Sequence, residues 1–233
     1  MGYKRNCTKF RDYSRIVSFF LLPFRTGIDI LIVYECRDVQ EREGGEIMLE
    51  KMIILIGMPG CGKSTIGRIL AQELQVPFVD TDELIAKAEG MPLSKIQQEK
   101  GREYFLAAEE NALFSLDDSP KVVATGGSAV LCRHGMMYLS SIATIIYLET
   151  DMNMLVRRMG DPKKRGVVLA PNQTIMGVYR ERRPLYQQYA DIRIRTYHTR
   201  PKAVAQRVIA VLTGEDGKEK EGENDAKGNE KDS

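Results

Sequence analysis

At 233 residues, with 43% hydrophobic and 28% charged side chains, the chain is long enough for one sizeable core and short for two, so one main domain is expected. The 34 basic and 32 acidic residues leave a formal charge of +2, which gives no basic footprint for nucleic acid and points to no macromolecular partner. Cys7, Cys36, Cys61 and Cys132 lie far apart, without the CxxC pairs of a zinc site or the density of a disulfide framework, a usage that suits a reducing cytoplasm.

The chain opens with a basic lead (Lys4, Arg5, Lys9, Arg11 and Arg15) followed by an apolar stretch from Ile16 to Phe24. The layout is that of an export signal. No small-residue cleavage site follows, however, and Pro23, Arg25 and Asp29 interrupt the run well short of the ~20 residues that span a bilayer, so no membrane role is expected. Just before Met48 stands Arg42-Glu43-Gly44-Gly45-Glu46-Ile47. In codons, Gly-Gly-Glu can be written as a purine-rich GGAGG-type stretch ahead of an ATG, the layout of a bacterial ribosome-binding site. Residues 1–51 are accordingly read as an N-terminal extension, with Met48, ahead of Met52, as the expected start and residues 1–47 as translated leader.

From Met52 to about Thr213, short β-branched runs alternate with amphipathic segments, the pattern of βαβ units that stack helices on a parallel sheet. The predicted strands are Met52 to Gly57, Pro77 to Asp80, Lys121 to Gly126, Thr144 to Glu149 and Asp191 to Thr196. Helical periodicity fills the gaps, for instance from Ser64 to Leu74 and from Glu103 to Leu116. The fold class is therefore α/β, three layers with a central parallel sheet of about five strands. Residues 214–233 are mostly charged or glycine, hold no aliphatic residue larger than alanine, and are expected to form a disordered tail.

The first strand runs into Gly57-Met58-Pro59-Gly60-Cys61-Gly62-Lys63-Ser64, a full GxxxxGK[ST] match, and Thr65 continues into a helical stretch. The motif predicts a phosphate-binding loop. Glycines 57, 60 and 62 let the backbone aim several N–H groups at phosphate oxygens, with the helix N-terminus behind them. Lys63 is expected to reach the β- and γ-phosphates of ATP, and the Ser64 hydroxyl to ligate Mg²⁺. Cys61 takes its place in the loop as a small residue. A compact chain with no NKxD segment for reading guanine favours a small-molecule kinase over a GTPase or a motor.

Asp80-Thr81-Asp82 follows the second strand and Ala124-Thr125-Gly126-Gly127-Ser128 ends the third. Together with the loop, with Gly101-Arg102-Glu103-Tyr104-Phe105 and with Glu181-Arg182-Arg183-Pro184-Leu185-Tyr186, these resemble the shikimate kinase family in order and spacing over nearly all of residues 52–213. The resemblance implies that Asp80 serves the Mg²⁺, that Asp82 orients the acceptor hydroxyl or accepts its proton, and that Gly126, Gly127 and Arg182 line the acceptor pocket. It places Arg158 and Pro201 on either side of adenine. It also makes residues 160–172 a mobile lid whose Arg165, beside Lys163 and Lys164, steadies the charge on the transferring group. The implied activity is ATP-dependent phosphorylation of shikimate by a cytoplasmic monomer.

Two stretches depart from the family's pattern. Where the family has GExxFRxxE, this chain has Gly101-Arg102 and then Phe105-Leu106 before Glu109, so the arginine expected on the acceptor's carboxylate is a leucine. Arg102, one turn away on the same helical face, is the candidate substitute. Ser128 stands where a third glycine is usual. Both changes leave open an alternative acceptor, another small hydroxylated metabolite.

Overall fold

In the computed structural model, which describes residues 39–41, 47–159 and 174–214, the first elements are two three-residue strands, β1 (Val39–Glu41) and β2 (Ile47–Leu49). They pair antiparallel with Gln40 opposite Met48, so the expected start at Met48 falls inside a strand. The rest of the extension, the lid segment with Arg165, Lys163 and Lys164, and the tail beyond Gly214 lie outside the described residues.

All five predicted strands of the main sheet are present, each shorter by a residue or two at its ends or matching closely. They are β3 (Met52–Ile56), β4 (Phe78–Asp80), β5 (Val122–Ala124), β6 (Ala143–Glu149) and β7 (Ile192–Arg195). Every pairing is parallel, in the order β4-β5-β3-β6-β7. β3 lies in the middle with all five side chains fully buried, which is why it reads as an unbroken apolar run without alternation. From β3 the chain first goes to one side of the sheet, to β4 and β5, and then to the other, to β6 and β7. Ligands of such sheets gather at the carboxyl ends of the strands where this reversal occurs.

Helices flank the sheet. α1 (Lys63–Glu73) packs against α7 (Pro201–Thr213), and α3 (Leu93–Phe114) against α4 (Arg133–Ile142). α2 (Thr81–Glu89) leads from β4 into α3, α5 (Met152–Met159) follows β6, and α6 (Ile175–Tyr189) precedes β7. A single-turn 3₁₀ segment, Ala129–Leu131, joins β5 to α4. The main core is aliphatic, built from the sheet and the inner faces of α1, α4 and α7. A smaller cluster of Ile85, Ile96, Phe105 and Ala112 holds α2 against α3. None of the described helices is long and apolar enough to cross a membrane.

Candidate functional site

Between Ile56 and Lys63 the chain must turn from a buried strand into a helix within six residues, and Gly57, Gly60 and Gly62 all take positive φ to do so. At Gly57 the need is also one of space, because a Cβ there would stand 2.8 Å from the carbonyl oxygen of Leu148. The Lys63 ammonium donates to the carbonyls of Gly57 (2.8 Å) and Met58 (3.1 Å). It thus lies across the mouth of its own loop, where it can exchange these carbonyls for phosphate oxygens.

At the base of α1 the Ser64 hydroxyl donates to Asp80 Oδ2 at 2.6 Å. The other oxygen, Asp80 Oδ1, caps α2 by accepting from the Asp82 N–H at 3.0 Å. One carboxylate therefore does both things its position suggests: it starts a helix and offers a hard oxygen beside a hydroxyl. That donor pair fits Mg²⁺, which keeps most of its coordination sphere as water and phosphate. Among the described residues there is no cluster of three or more His, Cys, Asp or Glu side chains placed to hold a metal by themselves.

The Asp80-Thr81-Asp82 turn is fixed to the end of β5. Thr81, almost fully buried, accepts from the Gly126 N–H at 3.0 Å. A Cβ on Gly126 would collide with Glu109 Oε1 and stand 2.8 Å from Asp82 Oδ1, so the glycine is what lets two carboxylates approach the same spot. Gly127 lies against the Pro59 ring of the phosphate loop, and its carbonyl accepts from the Tyr186 hydroxyl at 2.6 Å. Tyr186 also stacks on Tyr147 with ring centroids 5.2 Å apart. α6 is thereby locked to this turn, which sets the position of Arg182, one turn earlier and 1% exposed.

These groups surround one cavity of about 740 Å³. Its lining includes Gly60, Cys61, Gly62, Lys63, Ser64 and Thr65 of the loop, together with Asp82, Gly127, Ser128 and Arg182, and with Arg158 and Pro201. Leu93, Phe105 and Glu109 of α3 and Thr125, Thr196 and Thr199 also reach it, although no role was assigned to them from the sequence. Gly57, Asp80 and Gly126 stand just behind the lining as supports. Arg102 is elsewhere: its side chain is 42% exposed, its guanidinium lies 3.9 Å from Glu181, and it does not line the cavity. Leu106 packs against the main core.

Burial shapes the acid chemistry of the cavity wall. Asp82 is raised to about 6, by burial first and then by the neighbouring Asp80 charge, while Lys63 pulls it down. Glu109 is raised to about 7, again chiefly by burial, with the Asp82 charge adding to the rise. Two carboxyl groups poised near neutrality beside a phosphate loop and a buried arginine make an arrangement that can hold a hydroxylated anion and accept a proton from it.

A family profile described as shikimate kinase matches residues 59–213. A shikimate kinase from Vibrio cholerae is 35% identical over 169 residues, 71% of this chain and 97% of that protein. One from Vibrio parahaemolyticus is 37% identical over the same length, 71% of this chain and 98% of that protein. Among solved structures, a shikimate kinase from Acinetobacter baumannii in complex with shikimate superposes with a TM-score of 0.66 at 28% identity, covering 72% of this chain and 96% of the other. The enzyme from Aquifex aeolicus gives 0.61 at 30% identity, covering 70% and 96%.

Proposed function

Because this chain belongs to the shikimate kinase family, we infer that it transfers the γ-phosphoryl group of ATP to shikimate, giving ADP and shikimate 3-phosphate. The observation that carries the reading is the convergence of the phosphate loop, Asp82 and Arg182 on one cavity at the carboxyl end of the sheet.

In this reading the loop amides and Lys63 hold the β- and γ-phosphates, and Arg158 and Pro201 flank adenine. Ser64 and Asp80 hold Mg²⁺, which when bound offsets phosphate charge. Arg182 takes the acceptor's carboxylate, a pairing that suits a guanidinium fork. Asp82 orients the acceptor hydroxyl. The hydroxyl oxygen attacks the γ-phosphorus in line, the bond to the β-phosphate oxygen breaks, ADP leaves with that electron pair, and Asp82 takes the hydroxyl proton. Arg165, outside the described residues, supplies positive charge to the transferring group by resemblance to the family. Arg102 would have to leave Glu181 to act as the second carboxylate ligand. The same reading makes the protein a cytoplasmic monomer, which sedimentation velocity checks for the oligomeric state.

The direct test is coupled ADP release with Mg²⁺ and ATP, in the presence and absence of shikimate. Shikimate-dependent turnover is expected, reduced at least a hundredfold in Lys63→Ala. ATP binding with no response to shikimate would assign the cavity to another acceptor.

A further inference from the structure

Both departures from the family's pattern meet at one side chain. Glu109 projects from the inward stripe of α3 that also carries Phe105, Ala112 and Leu113. It is 2% exposed, and neither carboxyl oxygen has a hydrogen-bond partner among the described residues. An ionised carboxylate in that state is costly, and taking up a proton is the usual relief.

The groups facing it come from every side. Asp82 of α2 opposes its ionisation, while Lys63 of α1 and Arg182 of α6 favour it. The Cys132 thiol, pushed up to about 12 by burial and by the charges of Glu109 and Glu110, stays neutral. Ser128, 3% exposed, is close enough to favour the ionised form but forms no well-shaped hydrogen bond to either oxygen. In the family's pattern an arginine stands three residues before this glutamate, on the same helical face and within reach of it. Here that residue is Leu106, half-buried against the core. The cation that would keep the carboxylate ionised is gone, and a hydroxyl stands beside the glutamate instead.

We propose that Glu109 works in this chain's acceptor pocket as an uncharged acid that donates a hydrogen bond to an acceptor oxygen, a specificity-determining role created by Leu106 in place of the family's arginine. The proposal rests on the acceptor reading above. The chemistry differs from that of a carboxylate in two respects. A carboxylic acid can donate one hydrogen bond, complementing Asp82, which only accepts. It also repels neither Asp82 nor the carboxylate of the bound acid. As pH rises through neutrality the acid ionises, both advantages vanish, and the acceptor KM climbs, approaching about tenfold per pH unit.

The experiment pairs two readouts on wild type, Glu109→Gln, Glu109→Ala and Leu106→Arg. Infrared titration of the ligand-free protein is expected to find a protonated-carboxyl band that disappears around neutral pH in wild type and is absent in Glu109→Gln. In Leu106→Arg its midpoint should fall by at least one pH unit. Steady-state kinetics at saturating Mg²⁺ and ATP should find the rise in shikimate KM with pH in wild type. Glu109→Gln, which keeps a donor and loses the titration, should abolish that rise, and Glu109→Ala, with neither donor nor charge, should show a pH-independent KM about tenfold above the wild-type value measured below neutrality. Parallel KM profiles for wild type and Glu109→Gln, or no Glu109-dependent band near neutrality, would overturn the proposal. If Leu106→Arg does not fold, the glutamine comparison still decides. Absence of shikimate turnover in every form overturns the acceptor reading and the KM effect with it, while the infrared midpoint separately decides whether Glu109 is neutral.

Discussion

In the proposed mechanism Asp82 carries the heaviest demand of any single residue, because it must be ionised to receive a proton yet stands in a place that resists ionisation. Burial and Asp80 raise it to about 6, so its useful form is lost as pH falls through about 6 and present above. The expected result is an acid limb in kcat/KM for shikimate with its midpoint near pH 6 and a slope approaching tenfold per unit. Initial rates at low shikimate from about pH 5 to pH 8 check it, and activity undiminished at about pH 5 would remove Asp82 from the proton's path. Asp82→Asn should cut kcat by at least about a hundredfold, since an amide can align a hydroxyl but not take its proton. Asp82, Lys63 and Ser64 were legible in the sequence because motif spacing marks them. Glu109 was not, because a glutamate in a helical run ordinarily reads as solvated. Its signals were its place at the end of the GExxFRxxE pattern and its phase: Phe105, Ala112 and Leu113, four before and three and four after, form the inward stripe on which it sits.

At the level of elements, α3 is where sequence reading and structure part most. Periodicity predicted a helix from Glu103 to Leu116; the observed element runs Leu93–Phe114 with a break at Gly101, where φ is 82° and ψ is 174°. Apolar spacing could not bridge that break, because the non-helical backbone at Gly101 interrupts the helical phase between the two segments. The first packs Ile96 with Ile85 of α2, and the second carries Phe105 and Glu109 into the cavity wall. Nothing lies within 4 Å of where a Gly101 Cβ would be, so the position demands glycine for its backbone alone. Gly101→Ala should therefore destabilise the protein by about 1–3 kcal/mol, the usual cost of forcing a side chain into that region. Chemical denaturation measures this directly. If the strain is instead relieved by straightening α3, shikimate KM should rise while ATP KM stays constant, since only the acceptor wall is hung from this helix. Wild-type stability and kinetics in the alanine variant would mean that the bend is not required.

For the molecule as a whole, the α/β class and the five strands could be read from the alternation of apolar runs, whereas their order could not. Which side of β3 each crossover takes depends on helix packing that strand composition does not encode. The β1–β2 hairpin was also invisible, because three-residue strands are too short to establish a period. That hairpin bears on where the functional chain begins. Starting at Met48 removes β1 and leaves β2 without its antiparallel partner, although Leu49 of β2 is buried. Against this, the five-stranded sheet starts at Met52 and every residue assigned to the site lies at or beyond Gly57. A two-stranded ribbon of this length adds little stability of its own. The protein begun at Met48 should thus keep kcat and both KM values within about twofold of the full-length chain. Its Tm should fall by about 2–4 °C, the equivalent of roughly 1 kcal/mol in a domain of this size. Differential scanning calorimetry and steady-state kinetics on the two forms decide the matter. A loss of activity or a much larger drop in Tm would mean that residues before Met48 belong to the folded enzyme, and would contradict the translated-leader reading.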